Sequence, residues 1–200
     1  MPHAQDAAEA ILEPHMEALG DLFPAAWRQW EAFGEKMPEL RMKCCKRTRA
    51  SMVSNFAVEE ARIVFADMSP TAILHEARRF LLVEFDSQLC LRLKKFQEGT
   101  RRTSGINTRQ RKAFAAQEPL TGMPEATNLV LGYEVDQDGT EIISTAITCK
   151  TLGKLHWEIP IALPGQAVPL EPRDRQTEIM EPEITSTRLD REEAQGGRDR

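Results

Sequence analysis

Two-residue periodicity broken by short turn signals, at residues 80–94 and again at 128–163, most narrows the folds open to this chain. In the first stretch Leu81, Val83 and Phe85 alternate with Phe80, Leu82, Glu84 and Asp86. After Ser87-Gln88, Leu89, Leu91 and Leu93 alternate with Cys90, Arg92 and Lys94. Two such arms predict a β-hairpin. Glu84 and Asp86 share one side of the first arm and Arg92 and Lys94 one side of the second, so opposite charges are expected to pair across the strands, at about 0.2–1 kcal/mol a pair. Further on, NLVLGYEVD, EIISTAITCK and KLHWEIPIAL are separated by Gln137-Asp138-Gly139-Thr140 and Thr151-Leu152-Gly153-Lys154. Both links are good hairpin signals, and the three runs predict a meander.

The rest of the chain keeps helical intervals. Ile11, Leu12, Met16, Leu19, Leu22, Phe23, Trp27, Trp30 and Phe33 are spaced for one helix face. Pro14 and Pro24 predict two or three short helices there, with Gly20-Asp21 and Gly34 as stops. A further helix is predicted from about residue 49 to 67, burying Met52, Val53, Phe56, Ala57, Ile63, Val64 and Phe65, and ended by Ser69-Pro70. The preceding KCCKRTR would sit at its N-terminal end, where the helix dipole disfavours cations. A basic stretch from Gln97 to Gln117 reads as a loop and then a short helix capped by Asn107 or Thr108.

The order helices, hairpin, helix, meander gives an α+β fold, with N-terminal helices covering one face of a mainly antiparallel sheet of about five strands. With 41% hydrophobic residues, the chain has material for one core of about 160 residues. Residues 1–40 form an acidic amphipathic segment and 41–164 a basic-centred core. Residues 165–200 are charged, proline-containing and nearly free of aromatic residues, which predicts disorder. No apolar run is long enough to cross a bilayer, and the opening MPHAQDAAEA lacks the basic and apolar regions of a signal peptide. These features predict a cytoplasmic protein with Cys44, Cys45, Cys90 and Cys149 reduced.

Charge is sorted by position. Residues 41–112 carry sixteen Lys or Arg against seven Asp or Glu, whereas 1–40 carry two against eight and 113–200 eight against sixteen. A basic centre of this kind suits phosphates or an acidic protein. Arg47, Arg49, Arg101, Arg102, Arg109, Arg111 and Lys112 are the candidate contacts, and the competing reading is a solvated charged surface. Enzymatic signals are weaker. Glu60, Glu84, Asp86 and Lys94 are the candidates for a metal-dependent nuclease, in which carboxylates converge on a magnesium ion. The position two before Lys94 is Arg92 where such a site needs an acid. His75 and His156 are far apart, and no Cys/His spacing predicts a metal or a cofactor. The balance favours binding over catalysis.

Three stretches carry a resemblance: RTRASMVSNFAVEEAR; RLKKF followed by NTRQRKAFAAQ; and LTGMPEATNLVLGYEVDQDGTEI with LHWEIPI at its end. Over residues 47–161 the chain resembles a family of small bacterial and phage proteins encoded beside a helix-turn-helix protein fused to a zinc-peptidase-like domain. The resemblance implies a toxin-like or growth-regulating role, held in check by that neighbour as antitoxin. It carries over no catalytic residue, and the acidic C-terminal segment falls outside the family pattern.

Overall fold

The computed structural model describes residues 2–163 apart from 67, 69, 78, 79, 106, 107 and 120–124. Helix α1 (Gln5–Leu12) passes through a 3-10 turn (Glu13–His15) into α2 (Met16–Lys36), followed by α3 (Pro38–Lys43) and α4 (Lys46–Phe65). Strands β1 (Ala72–Ala77), β2 (Phe80–Phe85) and β3 (Leu89–Lys95) precede α5 (Arg109–Ala115). Strands β4 (Thr127–Val135), β5 (Ile142–Thr151) and β6 (Lys154–Ile161) follow it. All six strands form one sheet in chain order. Every neighbouring pair is antiparallel except β3 and β4, which run parallel. A parallel pair needs a crossover, and α5 lies within it. The fold is α+β, as the periodicities predict. The segment predicted to be disordered, residues 165–200, lies outside the described residues, as does Asn107. The cap of α5 is Thr108, whose Oγ1 accepts from the Arg111 amide at 3.2 Å.

The core lies between the helices and one sheet face. Leu19, Leu22, Phe23, Ala26, Trp27 and Trp30 of α2 pack with Val53, Ala57, Ala61 and Phe65 of α4 and with the odd-numbered residues of β3 and β4, Leu89, Leu91, Leu93, Leu129, Leu131 and Tyr133. The four buried residues of α4 recur every fourth position, so Ile63, predicted to be buried, points away and is 71% exposed. Pro24 does not break α2, and neither Gly20 nor Gly34 ends it. Proline removes one helical hydrogen bond, yet the burial of Phe23, Ala26 and Trp27 around it offsets that loss at about 25 cal/mol per Å² of apolar area.

The sixth strand, β1, escaped the periodicity because its ILHEA run does not alternate; it pairs with β2 from Ala72 opposite Phe85 to Ala77 opposite Phe80. Register also decides the charge pairs. Glu84 faces Cys90 rather than a cation, and Asp86 sits in the turn at φ 48. The buried Glu84 carboxylate instead takes the His75 imidazole of β1 and the Ser87 hydroxyl, the latter at 3.0 Å. Among the described residues, no helix is long and apolar enough to cross a membrane.

His15 is buried between Phe85 and Phe65, with ring centroids at 4.9 and 6.3 Å, and its Nδ1 has no hydrogen-bond partner among the described residues. Burial lowers its pKa below the ordinary 6.5, partly opposed by Asp86. Its contribution to stability is therefore complete above that value. It is lost as pH falls below it, because the unfolded chain takes up a proton that the folded chain resists. Urea unfolding at about pH 7.5 and about pH 5.5 should show this acid loss, and His15→Phe should reduce it; an equal loss in both proteins would remove His15 as the cause. At the β5–β6 turn Leu152 adopts φ 50 and is exposed. Leu152→Asn is expected to raise stability by about 1 kcal/mol, since asparagine tolerates the left-handed region. An unchanged urea midpoint would refute it.

Candidate anion-binding site

The N-terminus of α4 meets the C-terminal ends of the parallel strands β3 and β4. Between them lies an open cleft of about 900 Å³, walled by Lys46, Arg47 and Arg49 from α4 and by Lys94 and Lys95 from β3. No acid occupies the first turn of α4, so these helix cations stand at the positive end of the dipole with no local carboxylate to offset it. That arrangement is unfavourable until an anion sits there. Two acids, Glu98 and Asp136, also line the cleft. Asp136 is engaged within its own turn: Oδ1 accepts from the Thr140 and Glu141 amides at 2.6 and 3.0 Å, and Oδ2 accepts from the Thr140 hydroxyl at 2.7 Å. The Glu141 amide first, and the Thr140 hydroxyl after it, hold its carboxyl below the usual range.

The cations are set by backbone. Arg49 donates to the Gly139 carbonyl of the β4–β5 turn, and Lys46 Nζ to the Gln137 carbonyl at 3.5 Å. Gly139 has φ 69, and a side chain there would overlap the Arg49 guanidinium. Lys94 lies on the sheet face away from α2 and α4, on the same side as Arg92. Burial, and then Arg92 and Arg111, lower its pKa to about 8. Lys95 is lowered by burial, then by Arg49 and Lys46. Burial and Arg111 bring Arg92 to about 10, and its guanidinium stands 5.9 Å from the Phe114 ring centroid. Among the described residues no carboxylate lies within ion-pair distance of Lys94, Lys95 or Arg47. Lys94 and Lys95 are half-buried and Arg47 is exposed, and the five cations of the cleft outnumber its two acids, an excess that suits an external anion.

Of the predicted contacts, Arg47 and Arg49 are in this cleft. Arg111 adjoins it, held by the Gly105 carbonyl and, at 2.8 Å, by the Thr103 carbonyl. Arg109 and Lys112 are exposed and, together with Arg111, line a separate shallow groove with Glu118 and Leu152. Arg102 is exposed on the loop after β3. Arg101 is spent inside the protein: its guanidinium bonds Glu134 at 2.9 Å, Glu158 at 2.8 Å and the Ser144 hydroxyl at 2.7 Å. It also stands 5.4 Å from the Phe96 ring, which fills the space above Gly132 that a side chain there would take. Lys150 donates to the Arg101 carbonyl and is lowered to about 8, chiefly by burial.

The nuclease candidates do not converge. Glu60 accepts from Gln29 of α2, on the helix side. Glu84 lies on the other sheet face with His75. Asp86 is exposed in the β2–β3 turn, and Lys94 lines the cleft. Among the described residues no group of three or more His, Cys, Asp or Glu side chains is placed to hold a metal ion. Sequence reasoning left out Lys46, Arg92 and Lys95. The adjacent pair in RLKKF, two cations at the end of a predicted strand, was the available signal for Lys95. Compared with protein-family models, curated proteins and solved structures, the chain matches none.

Proposed function

We propose that this protein is a non-enzymatic polyanion-binding module that takes the phosphate backbone of a nucleic acid in the cleft between α4 and the ends of β3 and β4. The observation that carries the reading is the excess of cations over acids lining the cleft, Lys46, Arg47, Arg49, Lys94 and Lys95 against Glu98 and Asp136, with Lys94 and Lys95 half-buried. Phosphate contacts of this kind supply affinity without sequence readout and weaken with salt. Fluorescence anisotropy with single-stranded and duplex oligonucleotides tests it. Replacing Arg47, Lys94 and Lys95 together by alanine should weaken binding at least about tenfold and flatten the salt dependence by roughly 0.9 per lost phosphate contact on a duplex. Wild-type affinity should also fall as pH rises through about 8, where Lys94 loses its proton. Absent binding at low salt, or a triple variant that binds as well as wild type, would overturn the reading.

A second reading keeps the toxin-like or growth-regulating role under a cognate antitoxin. Its supporting observation is the apolar surface at α3, where Leu40 and Met42 of the helix and Met37 just before it are 48%, 88% and 50% exposed beside Arg41 and Lys43. Exposed apolar side chains ringed by charge are typical of protein docking. Growth arrest on induced expression, relieved by the genomic neighbour, is the expected outcome; unaffected growth would count against it.

A further inference from the structure

On the polyanion reading, on which this rests, we propose that the cleft is one half of a bent phosphate track for single-stranded nucleic acid and that the outer side of α5 carries the other half. Around the end of β3 the cations change sheet face. Lys95 stands beside Lys46 and Arg49 of α4, whereas Lys94 stands on the opposite face, where Arg111, after burial and Arg92, lowers its pKa. The groove on α5 sets Arg109, Arg111 and Lys112 against one acid, Glu118. The two cavities meet at Gly105, which lines the cleft while its carbonyl accepts from Arg111 of the groove. Among the described residues none of the three α5 cations is in an ion pair. Helix α5 is also a firm mount. Phe114 is buried against Leu82 and Cys90, and the Gln117 side chain bonds both backbone groups of Asn128 at 2.8 Å and the Lys150 carbonyl at 2.9 Å. Cations held in place before binding lose little freedom on it. The turn selects the form of the ligand. A backbone passing from α4 to α5 changes face within the thickness of a sheet, about 10 Å. Duplex DNA is stiff over about 150 base pairs, whereas a single strand follows such a path.

The whole chain is titrated at low salt with labelled oligothymidylates of about 4 and about 16 nucleotides, the limits of a single-strand site, and with a duplex as long as the longer strand. Binding is followed by fluorescence anisotropy. Wild type is compared with a variant carrying Arg109→Ala and Lys112→Ala, two exposed side chains, whose fold is checked by its Tm. The longer strand should lose about tenfold or more in affinity in this variant, with the salt dependence flatter by roughly 0.7 per lost contact. The shorter strand, taken by the cleft with its larger number of cations, should lose much less. Wild type should hold the longer single strand at least about fivefold more tightly than the duplex, which reaches one half of the track only. A variant that binds the longer strand as wild type does, equal losses at both lengths, or a duplex held as tightly as the single strand would each overturn the track and leave the cleft in place. Wild type that binds neither strand would remove the cleft reading and the track with it.

Discussion

Arg101→Ala is expected to lower stability by roughly 3–5 kcal/mol, because it strands two carboxylates that this one guanidinium neutralises. The side chains of Arg101, Glu134 and Glu158 are only 15%, 9% and 25% exposed, so water replaces the lost partner poorly. Arg101 also adopts φ 54, a left-handed conformation that its three side-chain partners hold in place. For a chain of this size the loss corresponds to a fall in Tm of about 10 °C. Adding Glu134→Gln and Glu158→Gln to Arg101→Ala should restore part of it by removing the unpaired charge. A Tm within about 2 °C of wild type for the single variant would mean that the carboxylates rehydrate freely. Of the seven predicted contacts, Arg101 is the one whose removal should act on folding before it acts on any ligand.

Phe23→Ala should cost a similar amount, about 3–5 kcal/mol, by a different route. Phe23 is 1% exposed and its ring centroid lies 4.6 Å from that of Tyr133, at the junction of α2 with the centre of the sheet. Truncation removes apolar burial and leaves a cavity between helix and strand that neither can close without moving the other. Phe33 of the same helix is half-buried, stacked on Trp30 at 5.6 Å, and its alanine variant should cost clearly less. Equal urea midpoints for the two variants would refute this account of where the core is densest.

How much of the site could be read in advance depended on distance along the chain. The cationic start of α4 was legible, since KCCKRTR precedes an evident helix and opposes its dipole. Glu84 and Lys94 were placed correctly on strands but given the wrong company. A nuclease geometry and a cross-strand pair both assume a register, and register depends on the turn as well as on the alternation. The turn at Asp86 and Ser87, both at positive φ, sets Glu84 opposite Cys90. Arg101 looked like a surface cation because its partners Glu134 and Glu158 lie 33 and 57 residues further along.

By itself the sequence determined the helices, the hairpin, the meander and the basic centre, because periodicity, turn residues and charge act within a few residues of one another. Tertiary structure decided what these local rules do not reach. Helix α2 runs through Pro24 because packing around Phe23 and Trp27 outweighs one lost hydrogen bond. Strand β1 exists because β2 offers it an edge. The pairing of β3 with β4 sets the end of β3 at the cleft, Lys95 beside Lys46 and Arg49 of α4 and Lys94 on the opposite face of the strand. Cations distant in sequence become an anion site only when the fold gathers them in excess of acids and outside ion pairs, and that separates Lys94 from Arg101.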